Sequence, residues 1–326
     1  MQPSGARIGI DARAAAEVPA GRGRLVRELL RALAARPDDG TRYLLYARTA
    51  WDGAPLDDRF AWRLIRAGEP RWHLRTALAA NAECDVYLAS NSYLTTWFLR
   101  IPAVPVIYDM VAFDDAQLPN KRSAVIERLT LGLAVRSSRA FVAISQATAT
   151  EFERRFPRAT GRVTVAHLGA TLPPSLSTPE AAQLPERGFV LAVGTLEPRK
   201  NLPRLVDAYR SLDEPTQRRH PLVVAGALGW ETGPTVAALR SLGDRVSVLG
   251  YVSDAQLAEL YRRSAVFCYP SLAEGFGLPV LEAMAAGAPV VTSNVSSLPE
   301  VGGDAVQYVD PRDTADIAAG LSAVLD

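Results

Sequence analysis

Residues 264–293 read SAVFCYPSLAEGFGLPVLEAMAAGAPVVTS. Ala265 to Tyr269 is a short apolar run of strand type, the segment to Leu278 is a loop holding Gly275 and Gly277, and Pro279 to Ala286 has helical composition. Gly287 stops that helix and Pro289 to Val291 opens another buried strand, so the stretch is one βαβ unit. Proline fits the first helical turn, where a missing N–H costs nothing, and the free amides of Phe276, Gly277 and Leu278 are then expected to point out of the helix start. Such a start attracts anions. Glu274 precedes this amide nest and Glu282 lies one turn inside the helix, eight positions later. Phosphate binding does not call for acids. Two carboxylates here suit a neutral, hydroxyl-rich group beside the phosphate, because an ionised carboxylate accepts two hydroxyls at once. The plainer alternative is a βα-loop with a capping glutamate and a solvated helical one.

Glu274 to Glu282, with GFGLPVL between them, resembles the E-x7-E signature of retaining GT-B glycosyltransferases, the group 1 family that includes sucrose synthase and many bacterial mannosyltransferases. The similarity runs on through Ala283-Met284-Ala285-Ala286-Gly287 and Pro289-Val290-Val291. The resemblance implies an α/β chain of two Rossmann-like, doubly wound parallel-sheet domains facing across a cleft. It implies transfer of a hexosyl group, mannose or rhamnose favoured, from a nucleotide-diphosphate sugar to a glycan or lipid-linked hydroxyl, with retention at the anomeric carbon. No cofactor is expected beyond that co-substrate, for which GDP-mannose is the first expectation. By the same resemblance Glu274 contacts the donor sugar and Glu282 the ribose, with Gly275, Phe276, Gly277 and Leu278 between them at the donor. On that division a substitution at Glu274 spares the affinity for free nucleotide. The family has no secure covalent nucleophile, and the leaving phosphate is held to take the acceptor proton, so the two-carboxylate glycosidase scheme is not what this pair suggests.

Upstream, Phe189 to Val193 starts a second sheet and Gly194-Thr195-Leu196-Glu197-Pro198-Arg199-Lys200-Asn201 follows at its carboxyl end. Adjacent Arg199 and Lys200 at a helix mouth form a natural diphosphate clamp, one forked and one point-like. They match the family's G-T-x-x-x-R-K-N pattern, which also brings Gly194 and Thr195 to the donor. Positive charge in place before the sugar–phosphate bond breaks is what the leaving diphosphate needs. No D-x-D pair follows a strand, so no divalent metal is expected and protein cations replace it. Leu222 to Ala225 and Val246 to Leu249 continue the sheet, and Gly250-Tyr251-Val252-Ser253 matches the family's loop against the nucleotide base. Ser253 or Asp254 caps a helix over Ala255 to Arg262. A strand near Ala305 to Val309 and a helix over Thr314 to Leu325 close the domain. Relatives usually continue with a helix crossing back onto the first domain, and the chain ends before one.

At 326 residues two domains are expected, residues 1–171 for the acceptor and 188–326 for the nucleotide sugar. Residues 172–187, with Pro173, Pro174, Pro179 and Pro185, form the linker. Lysine and arginine number 36 against 35 acidic residues, so no global field recruits nucleic acid or a lipid surface. Cys84 and Cys268 lack metal-ligand spacing and fall in different domains, which favours reduced thiols in a cytoplasmic protein. No apolar run approaches the roughly 20 residues that span a bilayer, which leaves a location in the cytoplasm or peripheral to the membrane's inner face.

In the first half, Arg7 to Ala12 reads as a buried parallel strand, and a helix over Leu25 to Leu33 follows the loop Gly21-Arg22-Gly23-Arg24. A dinucleotide fingerprint needs a third glycine and a tight turn directly after the strand, and neither is present. By resemblance Gly21 and Gly23 bring this loop to the donor diphosphate. Tyr43 to Ala47, Val86 to Ala89, Val104 to Tyr108, Phe141 to Ile144 and Val163 to His167 read as further strands, with helices over Lys121 to Arg136 and over Gln146 to Phe156, the second capped by Ser145. The stretch YLTTWFLRI, Tyr93 to Ile101, is open to docking an acceptor or a membrane, but a buried helix is favoured because aromatics mostly fill cores. His167 is either a cleft residue or a satisfied structural one.

VPVIYD ends in Tyr108-Asp109, where relatives often have His-Asp beside the sugar's reacting face. Either Tyr108 is a neutral donor to a sugar oxygen, with Asp109 holding the loop Met110 to Asp115 over the acceptor, or its hydroxyl is satisfied by a neighbour. Two competing functions share the architecture: a nucleotide-sugar epimerase and a non-catalytic nucleotide-sugar binder.

Overall fold

The computed structural model describes residues 5–18, 21–53, 56–113, 121–175, 179–230 and 232–326. The chain forms two compact units. One takes the residues up to Phe113, the segment through Ile144 and Ala149–Ala166; the other takes Ser145–Thr148 and His167–Asp326.

The first unit is built on β1 (Arg7–Asp11), β2 (Arg42–Ala47), β3 (Phe60–Leu64), β4 (Val86–Ala89), β5 (Ala103–Ile107), β6 (Phe141–Ala143) and β7 (Val163–Val165). They lie in the order β3-β2-β1-β4-β5-β6-β7, every pairing parallel. The second is built on β8 (Val190–Val193), β9 (Leu222–Ala225), β10 (Val246–Gly250), β11 (Val266–Tyr269), β12 (Val290–Ser293) and β13 (Gln307–Val309). Their order is β10-β9-β8-β11-β12-β13, again all parallel. Both are the doubly wound sheets expected from the alternation of strand and helix patterns.

Strands covered on both faces read as continuous apolar runs, and VLAV, LVVA and VFCY in the second unit do so. Val190 and Ala192 point into one core with Leu205, Leu239 and Ile317. Leu191, the residue between them, points into the other with Tyr261, Val280 and Ala283. Period-two alternation thus feeds two layers of helices from one sheet.

Helix starts agree with the capping chemistry. Ser145 Oγ accepts from Thr148 N at 3.0 Å above the helix Gln146–Arg155. Ser253, rather than Asp254, caps Asp254–Arg263: Ser253 Oγ accepts from Gln256 N, and Ser253 N donates in return to Gln256 Oε1.

Several expectations change. Tyr93 to Ile101 is no buried helix but a short 3-10 turn, Leu94–Phe98. Local bonds compete with helix there, since Leu94 N donates to Ser92 Oγ and Thr96 Oγ1 to Tyr93 O. Thr95 and Thr96 face inward, while Trp97 and Phe98 are 42% and 39% exposed. The strand β3 and the helices Arg13–Glu17 and Arg71–Glu83 were not legible. β3 is an edge strand with no fully buried residue, so its alternation is blurred. The linker contains a helical turn, Pro179–Ala182. The loop Met110 to Asp115 is described only as far as Phe113, with Val111–Phe113 in a 3-10 turn, and residues 114 to 120 lie outside the described residues.

Gly23 sits inside the helix Arg22–Ala34, where a β-carbon would fall 1.8 Å from Val18 O and 2.7 Å from Ala14 O. Gly23→Ala gains about 1 kcal/mol of helix propensity but forces backbone apart, at about 1–3 kcal/mol or more. We expect overlap to win, because a carbonyl cannot swing away as a side chain does. A lowered urea midpoint at constant slope is the expected result, and a raised midpoint would refute the close approach.

Candidate active site

The order of the second sheet reverses between β8 and β11, and in open α/β sheets ligands bind outside the carboxyl ends of the strands at such a switch point. The two segments singled out in the sequence leave the sheet on either side of it: residues 194–201 follow β8 and residues 270–277 follow β11. The loops are tied together, because Leu272 N donates to Arg199 O at 2.9 Å. Asn201 adopts a left-handed conformation (φ 59°), which asparagine tolerates. Its buried amide donates to Pro270 O at 2.9 Å and Pro311 O at 2.7 Å, and so holds the Arg199-Lys200 turn against the second loop.

Arg199, Lys200 and Glu274 meet here. Lys200 Nζ lies 2.7 Å from Glu274 Oε1, and Arg199 Nη1 lies 2.6 Å from Oε2. Arg199 Nη1 also donates to Ala273 O, and its Nη2 pairs with Glu197 at 2.6 Å. Tyr269, the last residue of β11, completes the group. Its hydroxyl accepts from Lys200 Nζ at 2.5 Å and donates to Glu274 Oε1 at 2.8 Å. Burial works to raise the Glu274 pKa, but Lys200 and Arg199 outweigh it and hold it at about 2. Burial lowers the Lys200 pKa in spite of Glu274. Two cations, Arg199 and Lys200, and two carboxylates, Glu197 and Glu274, therefore stand against each other in this cluster. Tyr269 and Glu197 were not singled out in the sequence, although Glu197 lies inside the quoted octapeptide.

The loop after β11 is pinned by hydroxyls. Ser297 Oγ donates to Glu274 O at 2.9 Å and Phe276 O at 2.7 Å, and Glu274 N donates to Ser296 Oγ at 3.0 Å. Gly275 O accepts from Ser145 Oγ at 2.7 Å and from Thr148 Oγ1 at 3.0 Å. The helix Leu278–Ala285 begins one residue earlier than expected, with Pro279 in its first turn. Gly277 precedes it at φ 111°, and a β-carbon there would fall 2.8 Å from Leu298 Cδ2. Among the described residues the amides of Phe276, Gly277 and Leu278 meet no backbone acceptor. The Phe276 ring itself is buried.

Glu282 is placed differently from a solvated helical residue. It is 4% exposed and accepts from Tyr261 OH at 3.2 Å. Gly194 lies beside the Lys200 side chain, and Thr195 is exposed. Tyr251 is 67% exposed after β10, with Val252 half-buried against the core. His167 Nε2 pairs with Glu300 at 2.5 Å. Both cysteines are buried and unpaired. Among the described residues no group of His, Cys, Asp and Glu is arranged to hold a metal.

In the first unit, Tyr108 follows β5 and its hydroxyl donates to Ser90 O at 2.5 Å. That hydrogen is spent on a neighbour, as in the structural alternative. Asp109 Oδ1 accepts from Val111 N at 3.0 Å, and Asp114 and Asp115 lie outside the described residues. Gly21 caps the helix Arg22–Ala34 at φ 54°. A buried network at the end of β1 had no sequence signal: Arg13 pairs with Asp11 and Glu69, both at 2.8 Å, and His73 Nε2 lies 2.6 Å from Glu69.

Residues 178–326 match the family model described as glycosyl transferases group 1. The chain is 36% identical over 272 residues to the O-antigen chain mannosyltransferase B of Escherichia coli, covering 80% of this chain and 69% of that protein. It is 40% identical over 141 residues to the serotype-specific mannosyltransferase WbdA of Escherichia coli, covering 42% of this chain and 17% of that protein. The sucrose-phosphate synthase of Thermosynechococcus elongatus is similar in fold, with TM-score 0.73 at 21% identity over 98% of this chain and 90% of that one. With the mannosyltransferase B match extending over 69% of that relative, the chain belongs to the glycosyl transferases group 1 family and is a glycosyltransferase of GT-B fold.

Proposed function

We propose that the protein transfers a hexosyl group, mannose first and rhamnose next, from a nucleotide-diphosphate sugar to a hydroxyl of a glycan or lipid-linked saccharide, with retention. GDP-mannose is the donor to test first, and no metal or other cofactor takes part. The observation that supports this reading is the Arg199–Lys200–Glu274 cluster at the switch point of the second sheet. The mannosyltransferase relatives favour the sugar.

In this reading the donor diphosphate takes hydrogen bonds from Arg199 and Lys200 and from the amides at the start of the helix Leu278–Ala285. Glu274, released from its ion pairs, accepts hydroxyls of the transferred sugar. Glu282 turns from Tyr261 to the ribose, and the Tyr251-Val252 loop covers the base. As the sugar–phosphate bond breaks, charge grows on the leaving diphosphate, where the two cations already stand. The leaving phosphate takes the acceptor proton on the same face. The protein acts in the cytoplasm or at the membrane's inner face; among the described residues no helix is long and apolar enough to cross a membrane.

A melting series with GDP, UDP, ADP and dTDP identifies the base, since a ligand bound to the native state raises stability. Nucleotide release from the matching donor should then require a saccharide acceptor. Release at full rate without acceptor would support an epimerase instead, and binding without release a non-catalytic protein. Either result overturns the proposal.

A further inference from the structure

The helix Lys121–Ser137 is apolar on two faces. Ala124, Leu131, Ala134 and Val135 are buried, and Leu131 and Val135 pack with Ile107, Phe141 and Phe152. The opposite face is apolar as well: Val125, Ile126 and Leu129 are 50%, 61% and 61% exposed. At about 100° per residue these three, with Leu133 and Arg136, fall within one arc of roughly 100°. That is the width of stripe a surface helix ordinarily turns to a core. The 3-10 turn Leu94–Phe98 packs beside the end of this helix, where Ser137 Oγ lies 3.4 Å from Thr96 Oγ1, and it presents Trp97 and Phe98 to solvent. Single exposed apolar residues are normal on a protein surface. A helix face of them with two aromatics at its end marks a contact.

The charge where this helix ends is of one sign. A cavity of about 500 Å³ where the helix ends is lined by Arg100, Arg136, Arg139 and Arg162 with Leu99 and Ile101, and by no carboxylate. Arg162 is engaged with the carbonyls of Ser138 and Val135. Among the described residues, Arg100, Arg136 and Arg139 have no side-chain partner. Unpaired guanidinium groups suit phosphate, which they meet with two parallel hydrogen bonds. An apolar helical stripe, exposed Trp and Phe, and cations at its end are the elements with which a helix lies in a membrane interface.

We propose that this face docks on an anionic lipid bilayer, with Val125, Ile126, Leu129, Trp97 and Phe98 entering the boundary between headgroups and acyl chains and Arg100, Arg136 and Arg139 meeting lipid phosphates. The surface is local, so it is compatible with a chain of nearly balanced charge. It goes beyond the reaction proposed above and depends on neither the donor nor the acceptor.

The test is co-sedimentation of the full chain with vesicles of phosphatidylcholine, with and without phosphatidylglycerol. Binding is expected only with the anionic lipid, at roughly fivefold in partitioning per cation, and it should fall as salt screens the surface. Two variants separate the contributions, Ile126→Glu with Leu129→Glu and Arg136→Glu with Arg139→Glu. Each should lower partitioning at least tenfold while melting and nucleotide binding stay as in the parent, because the changed side chains are exposed. If the apolar pair misfolds, the arginine pair carries the test. Equal sedimentation with both vesicle types, or variants that bind as the parent does, would overturn the proposal. So would a parent that is dimeric in solution and becomes monomeric in both variants, since the face would then be covered by a second copy.

Discussion

Replacing Lys200 by methionine is expected to lower kcat by roughly two to three orders of magnitude, the effect of removing one preorganised partner of a developing negative charge. Methionine keeps the length and apolar contacts of the stem, and Lys200 is not a residue of the apolar core, so the fold should survive. The pH dependence gives a second readout. The ammonium is the active form, so activity falls as pH rises through the Lys200 pKa, and burial places that pKa below the ordinary lysine value. The alkaline limb of the parent's kcat/KM profile, which reports groups of the free enzyme, should therefore come at lower pH than for a solvated lysine, and the variant should lack it. A folded Lys200→Met protein with kcat within about threefold of the parent would remove Lys200 from the reaction.

Glu274→Gln is expected to act in opposite directions on turnover and on binding. Turnover should fall by roughly a hundredfold, because in the reaction proposed above the contacts of this carboxylate to the sugar matter most as the sugar gains positive character. Affinity for the free nucleoside diphosphate should rise, by roughly tenfold or more, since hydrogen bonds to charged groups are worth about 1.5–3 kcal/mol. The reason is the pairing in the structure. Glu274 occupies Lys200 at 2.7 Å and Arg199 at 2.6 Å, so a diphosphate must displace a carboxylate to reach either cation. From the motif alone the expectation was unchanged affinity, because the residues were assigned to separate parts of the donor. Isothermal titration of parent and variant with the nucleotide selected by the melting series decides between the two. An affinity in the glutamine protein equal to or weaker than the parent's would show that the ion pairs do not hold the clamp closed.

The same comparison shows where sequence reasoning stops. Glu274 and Arg199 stand 75 positions apart, and each was singled out from its own local pattern: a glycine loop ahead of a helix, and a basic pair after a strand. Nothing local says that they neutralise each other. That contact comes from the strand order, which sets β8 beside β11, and from the Asn201 amide that binds the two loops. Tyr269 escaped notice for a related reason. As the last residue of VFCY it reads as core, and its hydroxyl acquires a role only once Lys200 is folded over it. Glu282 had two readings, a ribose contact and a solvated helical residue, and packing against Tyr261 removes the second by burying it.

By itself the sequence determined the class of fold, because unbroken apolar runs alternating with helical spacing allow only parallel strands covered on both faces. It also pointed to where phosphate chemistry is to be sought, since the glycines and the proline between Glu274 and Glu282 impose backbone shapes through local sterics. The tertiary structure alone decided the charge state of the clamp, the spending of the Tyr108 hydroxyl on Ser90, and the exposure of Trp97, Phe98 and one face of the helix Lys121–Ser137. These depend on which side chains approach across long separations, and hydrophobic periodicity says that a face is apolar without saying what covers it.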